Sequence, residues 1–206
     1  MTTFFLIRHA SCNGLGRTLW GRTSGICLNE KGKQEAQRLA DRFHAIKLHL
    51  IYSSPLERGV ETAETIARQT NLEVSTNPAF DEIDFGDWTG KSFDALSSDE
   101  CWQRFNSQRH ATRIPGGESF LEVQNRAVTA LYALRSQNGY ANVAIVSHAD
   151  VIKAAIAYFT ATPIDLLDRI EISPCSVSII TIDHDDAKLL TVNNSCDLAN
   201  YRLAND

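Results

Sequence analysis

The chain has 206 residues, 43% of them hydrophobic and 22% charged, with a formal net charge of −5, the make-up of a globular protein with one sizeable core. The acidic balance argues against a general binder of nucleic acid or of anionic membrane, so any phosphate chemistry has to be local. No uncharged apolar run approaches the ~20 residues of a membrane span, the N-terminus lacks the layout of a signal peptide, and five cysteines without a close pair fit a reducing cytoplasm better than a disulfide scaffold.

Residues 4 to 9, Phe-Phe-Leu-Ile-Arg-His, predict a buried strand that delivers a guanidinium and an imidazole at its end. Ala36, Leu39, Ala40 and Phe43 recur at helical spacing, and Leu48 to Tyr52 form a short strand. Ser54 and Glu57 then spell a capping box with Pro55 in the first helical position, ahead of an apolar face of Leu56, Val60, Ala63 and Ala67. Ala79 to Gly90 is acidic and loop-like, and Phe93 to Pro115 is irregular with short helices only. A longer helix follows Gly116-Gly117, with Phe120, Val123, Ala127, Ala130, Leu131 and Leu134 facing inward. Val143 to Val146 is a buried strand, Ile152, Ala155, Ile156 and Phe159 mark the helix after it, and Val177 to Ile182 with Leu189 to Val192 read as a hairpin at the sheet edge, joined by Asp183-His184-Asp185-Asp186. Strands alternating with helices indicate an α/β layered sheet in a single domain spanning 1–206.

Three strand exits carry matching chemistry: Arg8-His9, Ser53 to Arg58, and Ser147-His148. In a parallel sheet these exits share one edge, where open α/β sheets place ligands. Arg58 is informative because a cation in the first turn of a helix opposes the macrodipole by about 0.3–1 kcal/mol, a position that makes sense if an anion binds there. His148 likewise precedes a helix, with Asp150 as its expected N-cap.

The ordered motifs Leu6-Ile7-Arg8-His9, Leu28-Asn29-Glu30-Lys31-Gly32, Ser53-Ser54-Pro55-Leu56-Glu57-Arg58, Glu82-Ile83-Asp84-Phe85-Gly86-Asp87-Trp88, Pro115-Gly116-Gly117-Glu118-Ser119 and Val146-Ser147-His148 resemble the histidine phosphatase superfamily, in the branch holding cofactor-dependent phosphoglycerate mutase and alpha-ribazole phosphatase. The resemblance implies a three-layer α/β/α sandwich with a mostly parallel central sheet and an antiparallel edge, and a substrate-capping insertion around 91–117. It implies that His9 is the phosphorylated nucleophile, that Arg8, Arg58 and His148 hold the phosphoryl group, and that Glu82 protonates the leaving oxygen, with neither cofactor nor metal. Phosphoryl transfer asks for in-line positioning and neutralised equatorial charge, which two arginines can supply. Asp81, Asp84 and Asp87 around Glu82 supply a negative field that favours its protonation.

The chain departs from the family pattern in three places. Ala10 replaces the usual glycine after the nucleophile, Leu15 stands where many members touch phosphate through Asn, and Ala149-Asp150 replace glycines after His148. Since leucine has no polar group to offer phosphate, Ser11, Asn13 and Arg22 are the candidates to bind it instead. Farther out, Arg104, Arg109, His110 and Arg113 with Trp102 and Phe105 are candidates for substrate recognition. A metallohydrolase is disfavoured because His9, His148, Glu82 and Asp84 show no helical ligand spacing. A cysteine phosphatase is disfavoured because Cys12 to Arg17 is one residue short of the needed spacing, and Cys196 to Arg202 has the spacing without a glycine-rich nest. A module that merely binds phosphate needs neither His9 nor Glu82. The expected function is hydrolysis of a small phosphorylated metabolite, with a mutase as the second reading and a homodimer left open.

Overall fold

The computed structural model describes residues 1–184 and 186–198, so Asp185 of the hairpin turn and Arg202 of the Cys196 motif lie outside the described residues. Six strands form one sheet: β1 (Thr2–Arg8), β2 (Leu50–Ser53), β3 (Val74–Thr76), β4 (Asn142–Ser147), β5 (Val177–Asp183) and β6 (Asp186–Asn194), in the order β3-β2-β4-β1-β5-β6. The first four in that order run parallel, while β5 pairs antiparallel with β1 and β6 antiparallel with β5. The sheet is therefore mostly parallel with an antiparallel edge, as expected.

Its central strands β1, β4 and β5 are buried on both faces, and alternate residues enter different cores. Phe5 and Ile7 pack with Ala144, Val146 and Val177 against α1 (Glu30–Arg42) and α2 (Glu57–Thr70), through Leu39, Phe43, Ala63 and Ile66. Phe4 and Leu6 pack with Val143, Ile145 and Ile180 against α5 (Phe120–Asn138) and α6 (Ala149–Phe159), through Leu131, Leu134, Ile152 and Ile156. Helices on both faces of one sheet make the three layers. Each fully buried Phe or Ile contributes about 1.5–3 kcal/mol relative to an exposed one, and Phe5 meets Phe43 edge to face at a centroid distance of 5.5 Å.

A third apolar cluster joins the segment around residues 83–88 to α5 and α6. Ile83, Phe85 and Trp88 are buried there with Leu96 and Phe105, which come from the short helices α3 (Phe93–Leu96) and α4 (Glu100–Ser107). The stretch 79–90 is thus a firmly packed segment with single 3₁₀ turns at Pro78–Phe80 and Gly86–Trp88, rather than a solvated acidic loop. Gly86, at φ +45°, makes this packing possible: a Cβ there would fall 2.2 Å from the Pro115 carbonyl oxygen. Gly32 plays the same part under the first loop, where a Cβ would fall 1.9 Å from the Ser11 carbonyl oxygen.

Local chemistry at α2 differs from the expectation. Its N-cap is Leu56, without a side-chain cap. Ser54 Oγ accepts weakly from Leu56 N–H at 3.2 Å and donates to Asp81 Oδ1, while Glu57 Oε1 accepts from Gly25 N–H. Both residues of the supposed box are claimed by tertiary partners. The capping box lies instead at Ser119 and Glu122, which start α5. Strand β3 has no counterpart among the expected elements; its three residues pair with β2 but are mostly exposed, so no apolar run marks them.

Candidate active site

The register of the parallel strands brings the three exits together. Arg8 lies opposite Ser147 and Ser53 opposite Val146, and the chain beyond each strand is fixed by its neighbour: His9 N–H donates to Ser147 O and Ser54 N–H to Val146 O, each at 2.9 Å. His9 and His148 consequently stand with ring centroids 5.0 Å apart. Arg8, His9, Arg58 and Glu82 line one cavity of about 150 Å³ together with Asp150 and an apolar wall.

His9 is buried, and its Nδ1 lies 2.7 Å from the Ala10 carbonyl oxygen. A carbonyl only accepts, so Nδ1 carries the proton and Nε2 keeps the lone pair. Ala10 is held in turn by its N–H donating to Thr62 Oγ1, whose hydroxyl donates to Arg58 O. Burial first, then the Arg58 and Arg8 charges, lower the pKa of His9 to about 3, so the ring is neutral and nucleophilic through the physiological range.

Arg58 is 2% exposed despite its first-turn position, which overturns any reading of it as a surface residue. Its Nη2 donates to Gly21 O at 2.7 Å, and Arg8 Nη1 donates to Ile172 O at 2.6 Å. Each guanidinium keeps one buried nitrogen without a hydrogen-bond partner among the described residues, Nη1 of Arg58 and Nε of Arg8; Nδ1 of His148 is a third such atom. A buried polar atom left unpaired costs about 1–3 kcal/mol, so three of them on residues grouped around His9 fit a place that receives an anion.

His148 is fully buried and is itself the N-cap of α6, the place expected for Asp150, which sits one residue inside the helix. Its Nε2 lies 2.9 Å from Ser54 Oγ, and because that hydroxyl donates to Asp81, it accepts from His148. Nδ1 then faces Glu82 Oε2 at 3.6 Å, beyond hydrogen-bond range. Burial lowers the pKa of His148 well below 6.5, with His9, Arg58, Arg126 and Arg8 adding to the effect.

Glu82 is pushed up to about 7 by burial and next by the Asp150 carboxylate, against the opposing pull of Arg58, the Ile83 N–H and Arg8. This cause differs from the expected one, a field of neighbouring loop aspartates. Asp81 is bound to Ser54 and lies 3.8 Å from Arg22, and Asp84 accepts from Gly86 N–H. The main chain of Glu82 is fixed from behind, since its carbonyl accepts from Arg22 Nε at 2.9 Å and Arg126 Nη2 at 3.1 Å, both arginines also binding Glu118.

Of the three candidates to bind phosphate in place of residue 15, none lines the cavity. Ser11 is buried with its N–H on Glu35, Asn13 is exposed and accepts from Trp20 Nε1 through its carbonyl, and Arg22 is held by Glu82 O and Glu118. Leu15 itself lines the cavity, so an apolar surface stands where the family's amide is expected. The more distant basic candidates are also used elsewhere. Arg109 is buried against Phe105 and Phe120 and pairs with Asp168, His110 pairs with Asp165, and Arg113 pairs with Glu122. Arg104 is exposed and lies outside the cavity, and Trp102 and Phe105 meet Trp88 edge to face in the third cluster. Asp150 and Arg126 are the residues that sequence reasoning leaves without a functional part; an isolated arginine in the middle of an apolar helix carries no local signal.

The model of the histidine phosphatase superfamily (branch 1) matches residues 4–195. Phosphoserine phosphatase 1 of Hydrogenobacter thermophilus is 30% identical over 98% of this chain and 96% of its own length. A probable phosphoglycerate mutase of Erwinia tasmaniensis is 29% identical over 92% of this chain and 88% of its own. Among solved structures, Bacillus stearothermophilus YhfR aligns with a TM-score of 0.89 at 31% identity, covering 96% of this chain and 99% of that one. A phosphoserine phosphatase variant of Entamoeba histolytica, solved with phosphoserine, aligns with a TM-score of 0.85 at 28% identity over 96% and 100% of the two chains.

Proposed function

The chain belongs to the histidine phosphatase superfamily, branch 1, and from that premise we propose that it is a phosphatase that hydrolyses small phosphomonoesters through a phosphohistidine at His9. The observation that carries this reading is the pinned tautomer of His9, with Nδ1 at 2.7 Å from Ala10 O and Nε2 left as a lone pair in a cavity shared with the buried Arg58 and the half-buried Arg8. Arg8 and Arg58 each have a donor nitrogen left for the equatorial oxygens of a phosphoryl group, where charge-assisted bonds are strongest.

In the first half-reaction Nε2 attacks phosphorus, the bond to the ester oxygen breaks, and Glu82 gives its proton to the departing oxygen. A pKa raised to about 7 keeps the proton on that carboxyl available near neutral pH. In the second, the Glu82 carboxylate takes a proton from water, the resulting hydroxide attacks phosphorus, the P–N bond breaks, and inorganic phosphate leaves with Nε2 restored. His148 joins the cradle only if Nδ1 carries a proton, since Nε2–H already serves Ser54. A bound dianion offsets the cations that hold His148 neutral and so favours that proton. Phe93, from the segment 91–117, contributes to the cavity wall, which supports a capping role for that segment.

Steady release of inorganic phosphate from p-nitrophenyl phosphate is the direct test. It should persist after exhaustive chelation and be inhibited by vanadate. Activity that chelation abolishes and zinc or magnesium restores would make the protein a metallohydrolase instead. Arg58→Lys tests the cradle: lysine keeps the charge but loses the planar fork, so turnover should fall on the order of 10²-fold. Because Arg58 is buried and bonded to Gly21 O, the same variant should also unfold at lower denaturant. Near-normal turnover would remove Arg58 from the cradle.

A further inference from the structure

The cavity is asymmetric in charge. Its cationic side chains, Arg8 and Arg58, both lie beside His9, where the phosphoryl group binds in the proposed reaction. Away from them the wall is largely apolar, with Leu15, Leu19, Trp20, Phe85 and Phe93, and its other charged side chains, Glu82 and Asp150, are carboxyls. No other lysine, arginine or histidine lines it among the described residues. The basic side chains of 104–113 are held by carboxylate partners or, for Arg104, stand outside. Arg17 and Lys91 touch the neighbourhood through their main chains, whose carbonyls accept from Phe93 and Leu19, and do not line the cavity.

A substrate body that bears a carboxylate or a second phosphate would therefore meet a largely apolar wall with no further cation to receive it, and would approach Asp150 as a like charge. An apolar body gains burial against the five wall residues, and an ammonium gains an ion partner in Asp150. The relatives whose names refer to phosphoserine or phosphoglycerate handle carboxylate-bearing substrates, so the wall of this chain points away from them. We infer that this enzyme selects phosphomonoesters of apolar or cationic alcohols that carry no carboxylate, with Asp150 as the residue that rejects the second anion. This rests on the phosphatase reading and adds the substrate class to it.

Two pairs differ at the carboxylate: glycerol 1-phosphate against 3-phosphoglycerate, where a hydroxymethyl of similar size replaces it, and phosphoethanolamine against phosphoserine, where a hydrogen does. The carboxylate-free member of each pair should have the higher kcat/KM by roughly tenfold or more, and benzyl phosphate should exceed glycerol 1-phosphate. In Asp150→Asn the ratio within each pair should shrink by roughly tenfold. Because Asp150 also raises the Glu82 pKa, the alkaline limb of the pH profile should move to lower pH, which loss of a merely structural aspartate would not cause. Equal or greater efficiency on the carboxylate-bearing esters overturns the inference while leaving the phosphatase standing. An Asp150→Asn variant whose two pairs keep their wild-type ratios removes Asp150 from the selection. Failure to hydrolyse any of these esters or p-nitrophenyl phosphate overturns the phosphatase reading, and the inference falls with it.

Discussion

His9→Ala is expected to lose turnover by roughly 10⁴-fold or more, the scale at which removal of a covalent nucleophile acts. The wild-type protein, mixed briefly with a ³²P-labelled phosphomonoester and quenched, should carry an acid-labile, alkali-stable label that His9→Ala lacks. The expectation rests on geometry: Nδ1 is bound to Ala10 O and the ring is neutral, so Nε2 has nothing to do but attack. Label on another residue, or none while turnover is rapid, would sink the phosphohistidine route. The same substitution has a signature in stability. His9 has a pKa of about 3 in the folded chain against 6.5 in the unfolded one, so between those values the unfolded state binds more protons and folding weakens as pH falls. His9→Ala removes that contribution, and its stability should decline less steeply from pH 6.5 downward than that of the wild type.

The parts of this site that local pattern exposes are those set by strand chemistry. Phe4 and Phe5, Leu6 and Ile7 alternate between two cores, and apolar runs ending in Arg8-His9 and Ser147-His148 announce a shared edge before any contact is known. What stays hidden depends on partners distant in sequence. Ser54 looks like a helix cap until Asp81 and His148 claim its hydroxyl. Arg58 looks like a first-turn surface cation until the loop carrying Gly21 closes over it. Arg109 and His110 look like substrate contacts, yet their carboxylate partners, Asp168 and Asp165, lie more than fifty residues along the chain. Asp150 is the sharpest case. As a residue near a helix start it reads as a cap, and only the placement of α6 beside the loop of Glu82 gives its charge an effect on the proton donor.

Glu82→Gln should slow turnover of an alkyl phosphate by on the order of 10²–10⁴-fold and that of p-nitrophenyl phosphate far less, because a poor leaving group needs the proton most. Glutamine keeps the shape and leaves the residue 82 carbonyl to Arg22 and Arg126, so loop position should survive. The pH profile supplies the second half of the argument. The acid form is the active one, so kcat/KM of the wild type on an alkyl phosphate should fall as pH rises through about 7, the value at which burial and Asp150 hold this carboxyl. His9 stays neutral down to about 3 and so cannot cause a decline near neutrality. Glu82→Gln should therefore lose the alkaline limb along with the rate. Equal slowing of both esters, or an alkaline limb that persists in Glu82→Gln, would mean that Glu82 orders the loop and that the proton comes from elsewhere.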